Sequence, residues 1–407
     1  MKILALSPYA PWPAYGGGTM RVFQLLKGLA AAHQVTVLTF ADTTDHGAVL
    51  AVALPQVDWQ VVAGPRSRAV WQRAFDTVFH PWPDMALRNH DHAYYVRLHE
   101  LCAAGGYDIV VGFSIEMIPY LGIAESYGLL THYDAFNAEY VIQKRAALTD
   151  IRVPRRWHAA LYSLLQCYKL WRYERQRLRM VDSASVVSPG DAAVVQRLAP
   201  GTPVTVVPNG VDTTEFDRAL LSAATAPVPT VVFSGTLDYR ANIDAVQWYA
   251  TAVHPLVQAA IPAVECVVVG RRPAPALVAL AAAGVLRLTG EVADTRPLLC
   301  SGWVYVVPMR IGGGARLKVL EAMALELPIV STSMGAEGID GIPAGVLTYA
   351  DDPEAFAAAV IAALRTPTTN PAARVFAAAH YDWRVITPRL TEALAAEVAA
   401  ARAAAAP

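Results

Sequence analysis

Three consecutive glycines, Gly312–Gly314, are followed by Arg316, Lys318 and Glu321. Glycines let a backbone turn tightly and come close to a ligand. Arg316 and Lys318 add fixed positive charge, and the start of a helix adds N–H groups and a partial positive charge. That combination is suited to phosphate. Glu321, one turn beyond Lys318, is placed to accept hydrogen bonds from a ribose diol lying just past the phosphates. A basic group first and an acid second along one helix fits a nucleoside diphosphate held at the helix end. The same residues also fit a glycine-rich loop with a solvated lysine and glutamate, so the pattern alone leaves both readings open.

The elements that would position these groups are legible around them. Trp303–Val307 is an apolar run of buried-strand type, and Leu317, Leu320, Ala324 and Leu327 line one face of a helix. The helix stops before Pro328, and 329–333 begins another strand, so the stretch is a βαβ crossover. A second glycine cluster, Gly16–Gly18, follows a strand at 2–7 and opens a helix pattern over 19–32. It is not a dinucleotide fingerprint, because the GxGxxG spacing is absent. A third constellation lies after the strand 129–133, where Asp134, Asn137 and Glu139 are either site groups at a strand's carboxyl end or caps of the next helix.

Composition bounds the rest. A chain of 407 residues exceeds a single hydrophobic core and points to two domains. Net charge is −1, which gives no bulk attraction to nucleic acid. No segment has the length and polarity of a membrane span, and the start at Met1–Ser7 reads as a strand rather than a signal peptide. Cys102, Cys167, Cys266 and Cys300 are widely spaced, which suits a reducing cytosol and gives no metal cluster or disulfide framework. His90 and His92 have no third ligand at suitable spacing.

Charge is uneven, however. Between Lys144 and Arg179 there are ten Lys or Arg against two acids, Asp150 and Glu174. A long helix pattern covers 154–181, with Trp157, Leu161, Leu164, Leu165, Tyr168 and Trp171 as its apolar stripe and Arg172, Arg175 and Arg179 as a basic face. The stripe reads as domain core; the alternative is peripheral contact with an anionic bilayer. The βα rhythm restarts at Thr230. The expected division is a first domain over 1–207, a linker over 208–229, a second domain over 230–380, a helix over 381–397 packing back on the first domain, and a disordered tail over 398–407. Both halves are doubly wound α/β domains, and a cleft facing the carboxyl ends of both sheets is the default binding site.

Taken together, Pro208–Asp212 (PNGVD), Phe233–Asn242 (FSGTLDYRAN), Thr289–Val292 (TGEV), Gly312–Met323 (GGGARLKVLEAM) and Ser331–Gly338 (STSMGAEG) resemble the GT-B-fold retaining glycosyltransferases of family 4, the group 1 type. The resemblance covers nearly the whole chain and is stronger in the second half. It implies two Rossmann-like domains facing across a cleft and a reaction that moves a sugar from a nucleoside diphosphate sugar, UDP first and GDP second, to a glycan or lipid-linked glycan. Retention of configuration follows from the family. No metal is expected, since fixed cations would replace it and an Asp-x-Asp motif is absent. The nucleotide sugar is a co-substrate and no other cofactor is implied. The cysteine usage places the chain in the cytoplasm as the expectation, and the basic helix makes the inner face of the cell membrane the alternative site within it.

Carried over by position, the resemblance makes Arg240 and Lys318 neutralise the diphosphate, aided by the amides of Gly313, Gly314 and Ala315. Glu321 would hold the ribose, Arg271 and Val292 the base, and Gly17, Asn209 and Gly235 would also lie on the donor side. Asp134 joins Arg240 and Lys318 as catalytic, and His132, Asn137 and Glu139 fall on the acceptor side. Two positions depart from the family: Gly313 stands where an acid would complete a Glu-x7-Glu pair, and Phe136 stands where relatives often carry histidine. A nucleotide-sugar epimerase of the same fold and a non-catalytic nucleotide-sugar binding or scaffold protein are the competing readings.

Overall fold

Near-continuous apolar runs, as in Lys2–Ser7 and Ile109–Phe113, are buried on both faces and so form parallel strands. The computed structural model describes residues 1–14, 16–65, 67–151, 157–221, 225–312 and 317–404. The strands are β1 (Lys2–Ser7), β2 (Gln34–Ala41), β3 (Val57–Ala63), β4 (Ile109–Phe113), β5 (Leu130–Ala135), β6 (Ser183–Val186), β7 (Val204–Val206), β8 (Thr230–Ser234), β9 (Glu265–Val269), β10 (Arg287–Leu288), β11 (Val304–Val307), β12 (Ile329–Ser331) and β13 (Thr348–Tyr349). One sheet has the order β3-β2-β1-β4-β5-β6-β7 and the other β10-β9-β8-β11-β12-β13. The ladders between these strands are parallel.

Strand order reverses between β1 and β4 in the first sheet and between β8 and β11 in the second. Ligands bind open α/β sheets outside the carboxyl ends of strands at such reversals. The Gly16–Gly18 loop follows β1, the loop at Gly235 follows β8, and the loop at Gly312 follows β11.

The chain divides into two compact units, Met1–Pro208 with Ile386 onward, and Asn209–Val385. Leu4, Leu38, Val110 and Tyr133 belong to the core of the first, and Val232, Phe233, Val268, Val306 and Leu320 to that of the second. The last helix, Trp383–Ala404, is part of the first unit from Ile386 on: Thr387 packs so closely on Gly28 that a Cβ there would lie 2.5 Å from Thr387 Cβ, and Arg402 bonds Asp108 at 2.5 Å. It continues as helix to Ala404, where the sequence suggested a disordered tail from 398. Alanine, the best helix former, explains the extension.

The segment read as a linker starts as part of the second unit. Val211 N donates to Tyr381 O at 2.8 Å, Thr213 N donates to Asp382 at 3.2 Å, and Arg374 donates to the carbonyls of Thr213 and Phe216.

The long helix departs from expectation in a more consequential way. It spans Trp157–Arg177, with residues 152–156 outside the described set. Its buried side is Ala160, Ser163, Gln166, Lys169, Leu170, Tyr173 and Glu174, whereas Trp157, Leu161, Leu164, Tyr168 and Trp171 are exposed. The apolar stripe is not core, because this helix docks on its other side, where small and polar residues accompany Leu170 and Tyr173. Some of those polar groups are bonded by neighbours, while Gln166 Nε2, the Tyr173 hydroxyl and Glu174 Oε2 are buried without a hydrogen-bond partner among the described residues. Asp84 N donates to Gln166 Oε1 at 2.9 Å and Glu139 N donates to Glu174 Oε1 at 3.0 Å.

Candidate active site

In the second unit the site grows from the carboxyl end of β8. Ser234 closes the strand, and Lys318 Nζ, from the helix Leu317–Ala324, donates to Ser234 O and to Asn242 Oδ1, both at 2.8 Å. The same ammonium lies 4.1 Å from the centroid of the Phe233 ring, a cation–π distance. Asn242 in turn donates to Thr236 O at 2.9 Å, so one amide fixes both the lysine and the turn after β8.

Gly235 is required by space. A Cβ there would sit 2.7 Å from Asn242 Nδ2 and 3.0 Å from Lys318 Nζ, and a Cβ on Gly270 would collide with the Gly235 carbonyl oxygen. Two glycines therefore let β8 and β9 turn against each other and leave the lysine's surroundings narrow. Arg240 begins the helix Arg240–Trp248, two residues before Asn242, and is exposed.

Arg271 and Val292 are brought alongside this loop. Leu237 N donates to Arg271 O at 3.0 Å, and a bridge between Gly270 and Gly290 sets the segment before Val292 next to that before Arg271. Glu321 lies one turn after Lys318; burial pushes its carboxyl up to about 7, with the Lys318 charge opposing. Ser234 Oγ, at the end of β8, lies 2.6 Å from the hydroxyl of Tyr305, which stands within β11. Gly313, Gly314 and Ala315 lie outside the described residues. Asn209 sits at the start of the segment bridged to Tyr381–Trp383, where Gly210 packs 2.8 Å from Tyr381 O when a Cβ is placed on it.

In the first unit, the carboxyl ends of β1, β4 and β5 gather Tyr9, Gly18, Glu116, Phe136, Asn137 and Glu139. Gly17 opens the helix Gly17–Ala32. A Cβ on its neighbour Gly18 would collide with the Tyr9 hydroxyl and lie 3.2 Å from Phe136 Cε2. Ser114, at the end of β4, adopts φ 70 and hydrogen-bonds Glu116. Asn137 donates to Glu139 Oε1 at 3.3 Å. Burial pushes the Glu139 carboxyl up to about 7, with the charge of Glu116 adding and Asn137 opposing.

Asp134 requires a correction. Its carboxylate is fully buried and held by Arg21 through Nε at 2.8 Å and Nη2 at 2.6 Å, and by Ser185 Oγ at 2.5 Å. Arg21 also donates to Val207 O at 2.9 Å and to Pro208 O at 3.2 Å. A carboxylate so enclosed anchors β5 to the first helix and exposes no surface to solvent. His132 is corrected for the same reason. It is buried, with Nδ1 2.6 Å from Ser183 Oγ and Nε2 2.9 Å from Ser185 Oγ, and Ser183 hydrogen-bonds Glu397 of the last helix.

Sequence reading passed over Arg21, Asn242 and Glu174. Asn242 stood inside a motif already singled out, but nothing in its spacing says that it holds a lysine 76 residues away. Glu174 sits on the buried side of its helix below Glu139, and a lone acid among arginines gave no sign of burial. Among the described residues no group of three or more His, Cys, Asp and Glu could hold a metal ion.

Two parallel sheets, each with polar groups and glycine loops at its reversal point, define the GT-B class of α/β protein. The model described as Glycosyltransferase Family 4 matches residues 15–215, and that described as Glycosyl transferases group 1 matches residues 228–366. The chain belongs to the family 4 glycosyltransferases of the group 1 type, a class of transferase enzymes.

Sucrose-phosphate synthase (tll1590) from Thermosynechococcus elongatus is similar in fold, with TM-score 0.69 at 18% identity over 98% of this chain and 100% of its own. Anabaena Alr3699/HepE, crystallised in complex with UDP, gives 0.65 at 14% identity over 97% and 100%. A trehalose-6-phosphate protein from E. coli bound with UDP-2-fluoro glucose gives 0.63 at 12% identity over 97% and 99%. A curated relative, the "Uncharacterized 44.6 kDa protein in cps region" of Klebsiella pneumoniae, is 27% identical over 139 residues, 32% of this chain and 36% of that protein's length.

Proposed function

We propose that this chain transfers a sugar from a nucleoside diphosphate sugar, UDP-sugar first and GDP-sugar second, to a hydroxyl of a glycan or lipid-linked glycan, with retention of anomeric configuration and without a metal. The observation that carries this reading is Lys318, whose ammonium is fixed at the carboxyl end of β8 by Ser234 O and Asn242. As the anomeric bond breaks, negative charge grows on the departing diphosphate. A cation already held in place, with Arg240 at the neighbouring helix start, stabilises that charge without reorganising.

Glu321 is our candidate for the ribose diol, and Arg271 and Val292 for the base. Asn137 and Glu139 are our candidates for acceptor hydroxyls. The acceptor hydroxyl attacks from the face that the diphosphate leaves. UDP is the first donor to try, because the similar folds from Anabaena and E. coli are described with UDP and UDP-sugar ligands. We place the reaction at the cytoplasmic face of the membrane, with the basic helix Trp157–Arg177 in peripheral contact.

The test is a thermal-shift panel of nucleoside diphosphates and their sugars, followed by turnover against an acceptor panel. A concentration-dependent rise in melting temperature with one donor, and sugar transfer from it, support the reading. Isomerised donor in the absence of acceptor would make the chain an epimerase. A bound donor left intact by every acceptor would make it a binding protein.

A further inference from the structure

The helix Val70–Phe79 of the first unit carries its apolar face outward. Val70, Trp71, Phe75, Val78 and Phe79 share one side by helical spacing, and none of the helix's residues is buried. Trp71 is 71% exposed and Phe79 69%, and the rings of Phe75 and Phe79 lie 4.7 Å apart. An amphipathic helix of a folded unit ordinarily turns that face to the core.

Here the polar side and the end are tied down instead. Arg68 pairs with Asp76 at 2.8 Å and Asp84 at 2.7 Å. Lys169 Nζ, from the helix Trp157–Arg177, donates to the carbonyls of Asp76, Thr77 and His80 at 3.2, 2.7 and 2.6 Å, capping the helix's carboxyl end. The helix that supplies Lys169 also turns Trp157, Leu161, Leu164, Tyr168 and Trp171 to the outside. Two adjoining helices, locked to each other by polar bonds, thus both present apolar side chains.

Their charge is one-sided. Arg73 and Arg88 are exposed near the first helix, and Arg172 and Arg175 on the second, with Arg175 5.5 Å from the Trp171 ring. The neighbouring acids are outnumbered or enclosed: Asp76 and Asp84 pair with Arg68, Arg73 and Arg88, which leaves that group one positive charge in excess, and Glu174 is buried. Aromatic and aliphatic residues bordered by arginines match the boundary between headgroups and acyl chains.

We propose that these two helices form a docking surface for an anionic bilayer, with Val70–Phe79 as its main apolar contact. The proposal deepens and rests on the membrane-linked acceptor put forward above. Among the described residues no helix is long and apolar enough to cross a membrane, so the contact is peripheral. A second copy of the chain is the poorer occupant, because it would set two basic surfaces against each other.

Flotation of the full chain with vesicles tests this, comparing phosphatidylcholine alone with phosphatidylcholine–phosphatidylglycerol mixtures at low and high salt. The native chain is expected to float with the anionic vesicles at low salt and to be released by high salt. The exposed double variant F75E/F79E and the charge variant R172E/R175E are each expected to bind at least about tenfold less. Both should keep the native melting temperature and any UDP-dependent rise in it. Native chain that stays unbound at low salt, or F75E/F79E floating like native, overturns the proposal. So does a native dimer that F75E/F79E converts to monomer with no vesicle binding. Flotation without any nucleotide-dependent thermal shift would support docking while removing the glycosyl-transfer reading.

Discussion

Lys318 Nζ lies 2.8 Å from Asn242 Oδ1, and this contact joins the helix after β11 to the helix after β8 across the point where the second sheet reverses its strand order. Neither residue is remarkable alone. Held together beside Gly235, they make a cation whose position does not depend on the ligand.

Replacing Lys318 by alanine is therefore expected to lower turnover at least about a hundredfold, since one preorganised charge contact is worth about 3–4 kcal/mol in a transition state. Steady-state kinetics with the donor found by the thermal-shift panel measure it. Near-native turnover would remove Lys318 from the mechanism.

Asn242→Ala acts one step back. It leaves the ammonium in place chemically but releases it from its amide partner and frees the Thr236 carbonyl. Nucleotide affinity is expected to fall about tenfold, with a melting temperature lowered by the loss of two hydrogen bonds, on the order of 1–2 kcal/mol. Titration calorimetry of the nucleoside diphosphate separates this from simple unfolding, and unchanged affinity would mean that Asn242 does not position Lys318.

The Arg21–Asp134 pair predicts a stability effect rather than a kinetic one. Arg21→Ala strands a fully buried carboxylate with Ser185 as its remaining side-chain donor, at a cost of about 3–5 kcal/mol. Urea unfolding of native and variant chains gives the difference. A variant as stable as native would contradict the anchoring role.

Glu174 and Glu139 make stability depend on pH. Burial, with the Glu139 charge adding, pushes Glu174 up to about 8, and burial, with the Glu116 charge adding, pushes Glu139 up to about 7. Both folded values exceed the unfolded one, so the folded state holds these protons more tightly. That contribution is fully present below the unfolded carboxylate range and is lost as pH rises through 7 to 8. Melting temperature should therefore fall between pH 5 and pH 9, by about a few kcal/mol in stability terms, and Glu174→Gln should flatten the fall. Parallel curves for the two chains would exclude the pair as its source.

Sequence reading recovered the alternation of strands and helices because parallel strands buried on both faces must be apolar along their whole length. The run Val304–Val307 before Gly312 and the run Thr230–Ser234 before Gly235 show this directly. It did less well where polar residues were concerned. Asp134 looked like a site acid because it stands at a strand's end, yet Arg21, 113 residues earlier, takes both its oxygens. Trp157, Leu161 and Trp171 looked like core because they share a helical face, yet the helix docks on its other side.

The order of glycine, base and acid along Gly312–Glu321 was decided by the sequence alone, since those residue types stand at local spacing within one short stretch. So was the division into two α/β halves, which follows from length and from the period of apolar residues. Only the tertiary structure decided which face of a helix meets solvent and which polar atoms find partners. Those outcomes depend on residues far apart in the chain, and hydrophobic period specifies a face without specifying what will cover it.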